Sequence, residues 1–293
     1  MAGIITVSPE AVRRCFPKRA ADSHKGTYGH VLSVCGSYGM VGAAVLAGTA
    51  VLRSGAGLLT AALPRSCYPI FTPQLPEAVC LPLPETEDGR LSTQALPQLL
   101  QALPKASVLL CGCGLGTAAE TDETVTALLG AATCPIVLDA DGINLLSRHI
   151  YTVKTVSVPL CLTPHPAELA RLLDCTVEEV QRDRPGAALA AARLCNATVV
   201  LKGHRTLIAS PDTETLLLNP TGTPGMAVGG SGDVLAGMIA AFAAQGMSLR
   251  DAATCGAYLH GAAGERAAAR LSQHAMLPSD LLTHLGELFL DFE

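Results

Sequence analysis

The chain has 293 residues, 49% of them apolar, which is enough to build a core without disulfide or metal staples. Its 20 Lys and Arg against 25 Asp and Glu give a net charge of −5 without long like-charge runs, which argues against a nucleic-acid or anionic-membrane surface. The 11 cysteines sit mostly inside apolar stretches and read as reduced thiols of a cytoplasmic protein. The opening MAGIITVSPE shows no basic leader, and Arg53 and Asp233 interrupt the two longest apolar runs short of the ~18 residues a membrane span needs.

In chain order, Ser8-Pro9-Glu10 predicts a helix start, with a capping hydroxyl and a proline in the first turn. That helix runs to Pro17, and residues 1–24 are expected to form an N-terminal helix and a basic link. His30 to Ser37 reads as a buried strand ending in glycine, and GMVGAAVLAGTAVLRSGAG as a small-residue helix stopped at Gly55 and Gly57. Leu58 to Ala62 is the next strand. AVCLPL offers another, and Ser92 to Leu103 a helix. Ser107 to Cys111 is an apolar strand followed by GCGLG and a helix from near Glu120. Pro135 to Leu138 ends in Asp139-Ala140-Asp141-Gly142, with Asn144 read as a helix-start residue. Leu160 to Leu162 ends in Thr163-Pro164-His165-Pro166 and a helix through Leu173. A helix from Arg184 to Cys195 leads to the strand Thr198 to Lys202. Thr206 to Asn219 reads as a hairpin at the sheet edge, and Val234 to Ala244 and Leu249 to Arg270 as closing helices.

Strand, polar or glycine-rich loop, helix, repeated without linker or internal repeat, is the pattern of one α/β domain over 1–293, with a mainly parallel central sheet and helices on both faces. Ligands bind such sheets at the carboxyl ends of their strands. Gly36 to Gly39, Gly112 to Gly116, Asp139, Asp141, His165 and Lys202-Gly203 all fall there and are expected to share one rim.

The most informative stretch is NPTGTPGMAVGGSGDVLAG, from Asn219. Gly222, Gly225, Gly229, Gly230 and Gly232 feed straight into a helix, whose first N–H groups lack partners and whose dipole favours an anion. Five glycines exceed what a turn needs, which points to a phosphate site. Asp233 in the first turn is then either a helix-stabilising charge or a base beside a bound phosphate. Lys202 can reach a phosphate or simply be solvated at its strand end. His165, held between two prolines, can bond a substrate or pack, and Glu168 one turn on can hold magnesium through water. One of Asp139 and Asp141, on alternate sides of Ala140, should face the rim. Cys111 and Cys113 bracket a glycine without a second pair at zinc spacing.

HKGTYGHVLSVCGSYGMVGAAVLA, LDADGINLL, LTPHPAELARLL, VVLKGHRTLI and NPTGTPGMAVGGSGDVLAGMIAAFAAQG together resemble, in order, the motifs of the ADP/ATP-dependent NAD(P)H-hydrate dehydratases, of the ribokinase-like superfamily. The resemblance runs from Lys25 onward and implies a ribokinase-like three-layer sandwich. It implies nucleotide-dependent dehydration of hydrated NADH or NADPH, with Mg2+ and with ADP or ATP as co-substrate. By motif, Asp233 is implied as the catalytic base, and Ala43, Ala44, Gly114, His165 and Asp233 as contacts to the hydrated dinucleotide. Lys202, Gly203, His204, Arg205, Thr206, Gly229, Gly230, Ser231 and Gly232 are implied as contacts to the nucleotide. Gly112-Cys113-Gly114 stands where the family has Gly-Pro-Gly, and Ser231 where it has Thr. The resemblance also implies a homo-oligomer, such as a tetramer, and a functional link to an NAD(P)H-hydrate epimerase. The alternative is a ribokinase-like kinase of a small vitamin-precursor alcohol, of hydroxymethylpyrimidine or thiazole type. A different class is a nucleotide-binding regulatory module in which Asp233 only caps.

Overall fold

A computed structural model describes residues 3–293; Met1 and Ala2, at the head of the expected N-terminal region, lie outside the described residues. Its strands are β1 (Ile4–Thr6), β2 (His30–Val34), β3 (Leu58–Pro64), β4 (Val79–Leu83), β5 (Val108–Cys111), β6 (Ile136–Leu138), β7 (Leu160–Leu162), β8 (Thr198–Leu201), β9 (Leu207–Ala209) and β10 (Leu216–Leu218). The helices are α1 (Pro9–Cys15), α2 (Val41–Arg53), α3 (Tyr68–Phe71), α4 (Leu96–Ala102), α5 (Ala119–Gly130), α6 (Asp141–Arg148), α7 (Pro166–Leu172), α8 (Val177–Arg182), α9 (Arg184–Cys195), α10 (Ser231–Ala244), α11 (Leu249–Leu271) and α12 (Pro278–Phe289).

All the strands join one sheet in the order β1-β10-β9-β8-β7-β6-β5-β2-β3-β4. From β4 to β8 every pairing is parallel; β9 runs antiparallel to both its neighbours. The expected hairpin is β9 and β10, but it is not the edge, because β1 adds parallel to β10, Ile4 opposite Leu216. Three residues are too few to show a period, so β1 escapes a reading of the sequence.

The strand side chains alternate between two cores, as the pleat requires. Val137 joins the face covered by α1, α2, α10, α11 and α12, while Ile136 and Leu138 join the face covered by α4 to α9. This is a three-layer α/β fold. Close packing of α10 on α2 explains the small-residue content of both: a Cβ on Gly237 would lie 2.3 Å from the Ala47 carbonyl oxygen. Asn144, read from sequence as a helix start, lies a turn into α6, because Asp141 already begins that helix. Among the described residues, no helix is long and apolar enough to cross a membrane.

Candidate active site

The carboxyl ends of β2, β5, β6, β7 and β8 converge with the start of α10. Asp139 follows β6 directly and is 1% exposed. A buried carboxylate must be paired, and two neighbours achieve this. Thr163, just past β7, donates its hydroxyl to Asp139 Oδ1 at 2.6 Å, and Lys202, just past β8, donates its ammonium to the same oxygen at 2.7 Å. Lys202 lies 3.7 Å from Glu168 as well. Burial alone would lower the Lys202 pKa, but the Asp139 and Glu168 charges outweigh it and hold the lysine above its ordinary value.

Asp233 sits in the first turn of α10 with no cation of its own within ion-pair distance among the described residues. Burial pushes its carboxyl up to about 7, and the Asp139 charge adds to the shift; the Cys113 thiol and Lys202 pull it back. A carboxyl that titrates near neutrality is poised to accept a proton. Cys113 Sγ lies 3.8 Å from Asp139 Oδ2, and ligand atoms of Cys113, Asp139 and Asp233 all fall within 4.8 Å of one another. A hard cation such as magnesium takes oxygen ligands, so a thiol, and an aspartate already held by lysine, make a poor cage for it. The thiol stays protonated, its pKa raised by the hydrogen bond with Cys35, by burial and by the two aspartates.

The glycine-rich loop reaches α10 by lying along α11. Asn219 donates to the Ala257 carbonyl at 3.0 Å, Thr221 donates to the Tyr258 carbonyl at 2.8 Å, and Gly222 N donates to Glu265 at 2.9 Å. Gly261 and Gly264 make room: a Cβ at either would lie 2.2 Å from Thr221 Oγ1 or 2.3 Å from Met226 Sδ. Gly230 caps α10 at φ 102°, a conformation that favours glycine, and no side chain caps the helix. The N–H groups of Gly232 and Asp233 are therefore left for a ligand, and the buried hydroxyls of Ser231 and Thr223 have no partner either. Beneath the turn, the His260 ring donates to the Ser231 carbonyl at 2.9 Å; burial lowers its pKa to about 4, so the ring stays neutral. Sequence reasoning passed over His260. The signal was a single histidine between the glycines of α11.

Of the residues implied as substrate contacts, Ala43 and Gly114 face each other, with a Cβ on Gly114 falling 2.7 Å from Ala43 Cβ. Ala44 is 3% exposed and packs beneath Gly36. His165 caps α7, its Nδ1 accepting from the backbone N–H groups of Ala167 and Glu168 at 3.1 and 3.3 Å, and its ring is half exposed. Glu168 turns inward: its carboxylate accepts from His165 N at 2.7 Å and faces Lys202. Gly203, His204 and Arg205 are exposed on the loop after β8, with Thr206 half buried and donating to the Gly203 carbonyl at 3.0 Å. Gly229 is exposed with open space above it, and Gly232 is crowded, a Cβ there falling 3.2 Å from Lys202 Nζ.

Both aspartates of the β6 loop face the rim, because Ala140 between them adopts φ 49°. A non-glycine residue in that region is strained, a cost the alternation rule did not anticipate. Asp141 accepts from Gly116 N at 2.8 Å.

Residues 31–286 match the family model described as NAD(P)H-hydrate dehydratase. The bifunctional NAD(P)H-hydrate repair enzyme of Moorella thermoacetica is 47% identical over 96% of this chain, which spans only 53% of that protein's length. The ADP-dependent (S)-NAD(P)H-hydrate dehydratase of Neisseria meningitidis is 44% identical over 85% of this chain and 81% of its own length. The crystal structure of the ADP/ATP-dependent NAD(P)H-hydrate dehydratase from Bacillus subtilis, co-crystallised with ATP/Mg2+, superposes with a TM-score of 0.83 at 33% identity, covering 98% of each chain.

Proposed function

This chain belongs to the NAD(P)H-hydrate dehydratase family, and we propose that it restores hydrated NADH and NADPH to the reduced cofactors using ADP or ATP, with Asp233 as the base. The observation that carries this reading is Asp233 itself: a carboxyl held near neutrality beside unpaired N–H groups of α10.

Hydroxide leaves poorly, so the C6 hydroxyl of the hydrate must first be converted to a phosphate ester. Asp233 takes the hydroxyl proton as the oxygen attacks the terminal phosphorus, and the bond to the nucleotide's leaving phosphate breaks. The products are the phosphorylated hydrate and AMP, or ADP when ATP is the donor. The ring-nitrogen lone pair then expels phosphate from C6, and loss of a C5 proton restores the dihydropyridine. The N–H groups of Gly232 and Asp233, at the uncapped start of α10, would face the charge building on the phosphoryl oxygens. Lys202 would supply a fixed positive charge on the same side, oriented by Asp139 and Glu168. Gly203 to Thr206, with Gly229 and Gly230, would hold the rest of the nucleotide, and Ala43, Ala44, Gly114 and His165 the dinucleotide. Magnesium would come with the nucleotide and would screen its phosphates; the described side chains offer it no all-oxygen cage.

We place the protein in the cytoplasm, where its free thiols suit a reducing environment. The bifunctional relatives support a working partnership with an epimerase that supplies the reactive hydrate epimer, and we expect a homo-oligomer. Purified protein with chemically hydrated NADPH, ADP and Mg2+ should restore the absorbance of the reduced nicotinamide. Nucleotide consumed only with a pyrimidine or thiazole alcohol would overturn the assignment.

A further inference from the structure

We propose that Arg90 anchors the pyrophosphate of the hydrated dinucleotide, an assignment that rests on the dehydratase reading. Arg90 ends a tight turn: Thr86 N donates to the Arg90 carbonyl at 2.9 Å, Gly89 N to the Thr86 carbonyl at 2.9 Å, and Arg90 N to Thr86 Oγ1 at 3.1 Å. The turn is fixed to the loop after β2, where Tyr38 N donates to the Gly89 carbonyl at 3.0 Å. From this base the half-buried guanidinium reaches inward to the rim. It donates to Ser37 Oγ, and a Cβ on Gly116 would lie 3.3 Å from Arg90 Nη1. Ser37 in turn donates to the Gly114 carbonyl at 2.8 Å, so Arg90 stands against both glycine turns that border Ala43.

Among the described residues no carboxylate pairs with this cation. Glu87 and Asp88 of the same turn are exposed and form no ion pair with it, Glu85 is taken by the Ser66 backbone and hydroxyl at 3.0 and 2.7 Å, and Asp141 by Gly116 N. The contrast with Arg184 is informative. That guanidinium hands donors to the Leu201 and Lys202 carbonyls at 3.2 Å each and is accounted for by the loop it holds. Arg90 uses one of its five N–H donors, on a single hydroxyl. A half-buried charge left so incompletely satisfied is costly unless a ligand completes it.

The planar fork of a guanidinium fits two oxygens of a phosphate. With the hydrated ring at Asp233, the rest of the dinucleotide must pass outward over Ala43 and Gly114, which brings its first anionic group toward Arg90. That group is the pyrophosphate, present in both hydrated NADH and hydrated NADPH.

The test uses Arg90→Gln, which keeps a donor for Ser37 and removes the charge. Initial rates are measured with hydrated NADH and hydrated NADPH in turn, at saturating ADP and Mg2+. KM should rise about tenfold for both dinucleotides, the loss of one charge-assisted contact, with the effect on KM rather than kcat. Arg90→Lys should recover part of that loss, and KM for ADP should stay put. An unchanged dinucleotide KM, with or without a lowered Tm, overturns the assignment. So does a rise confined to hydrated NADPH, which would put Arg90 at the 2′-phosphate. A wild-type protein that turns over neither hydrate overturns the dehydratase reading, and this assignment with it.

Discussion

Lys202 Nζ lies 2.7 Å from Asp139 Oδ1, and this pair leaves Asp233 without a counter-charge of its own. The lysine projects toward the site with Asp139 as its nearest partner and Glu168 behind it. Asp233, under burial and the Asp139 charge, is therefore held near neutrality and not neutralised as a salt bridge.

Breaking the pair should affect both stability and the pH profile. Asp139→Asn leaves the Lys202 ammonium, 18% exposed along its side chain, with only Glu168 at longer range. Removing one partner of a buried pair costs about 3 kcal/mol, measurable by denaturant unfolding. The same change removes a charge that raises Asp233, so the midpoint of the activity–pH curve should move to lower pH.

Asp233 itself should place activity and stability in opposition. Its folded-state value of about 7 lies above the ordinary 3.8, so the protonated form favours the folded protein. That contribution is complete below the ordinary value and is lost as pH rises through the folded one. Activity needs the ionised form and should climb over the same window, with kcat/KM rising toward a plateau above pH 7. Asp233→Asn should accordingly raise Tm at pH 8 and change it little at pH 4. A Tm gain of equal size at both values would count against the assigned environment.

His260 acts in the opposite sense. Its pKa is lowered from 6.5 to about 4 by burial, so the unfolded chain binds the extra proton between those values. Its share of stability is present above the unfolded value and is lost as pH falls through the folded one. His260→Ala should cost about 2 kcal/mol by removing the buried hydrogen bond to the Ser231 carbonyl and the packing of the ring, and should slow turnover because that carbonyl sits at the start of α10. A variant that loses neither stability nor rate would show that the ring does not hold the turn.

Within the glycine loop, space separates positions that look alike in sequence. A Cβ at Gly229 meets nothing within 4 Å, whereas one at Gly232 falls 3.2 Å from Lys202 Nζ and 3.6 Å from Asp139 Oδ2. Gly229→Ala should keep nucleotide affinity. Gly232→Ala should weaken it by displacing the lysine. Titration of a nucleotide analogue against both variants checks the contrast.

The sequence made the rim legible because β2, β5, β6, β7 and β8 each run into a polar or glycine-rich segment, and such endings mark the carboxyl edge of a parallel sheet. The glycine run before Asp233 made the anion site legible for the same local reason. What escaped was long-range. β1 is three residues and joins β10 some two hundred residues away. Cys113 gave no hint that it would meet Asp139 and Asp233, since thiol, carboxylates and helix start come from separate segments. The place of Glu168 beside Lys202 and the His165 N–H was likewise set by the fold. Ala140 hid its role too, because a strained φ is a decision of the fold and not of the residue.

The central claim is that Asp233 takes the proton of the C6 hydroxyl. Its most direct test is Asp233→Asn assayed with hydrated NADPH, ADP and Mg2+, alongside binding of the nucleotide to the same variant. The account predicts a rate lower by at least about a hundredfold, the scale of a lost general base, with nucleotide affinity close to that of the wild type. Turnover at the wild-type rate would contradict it.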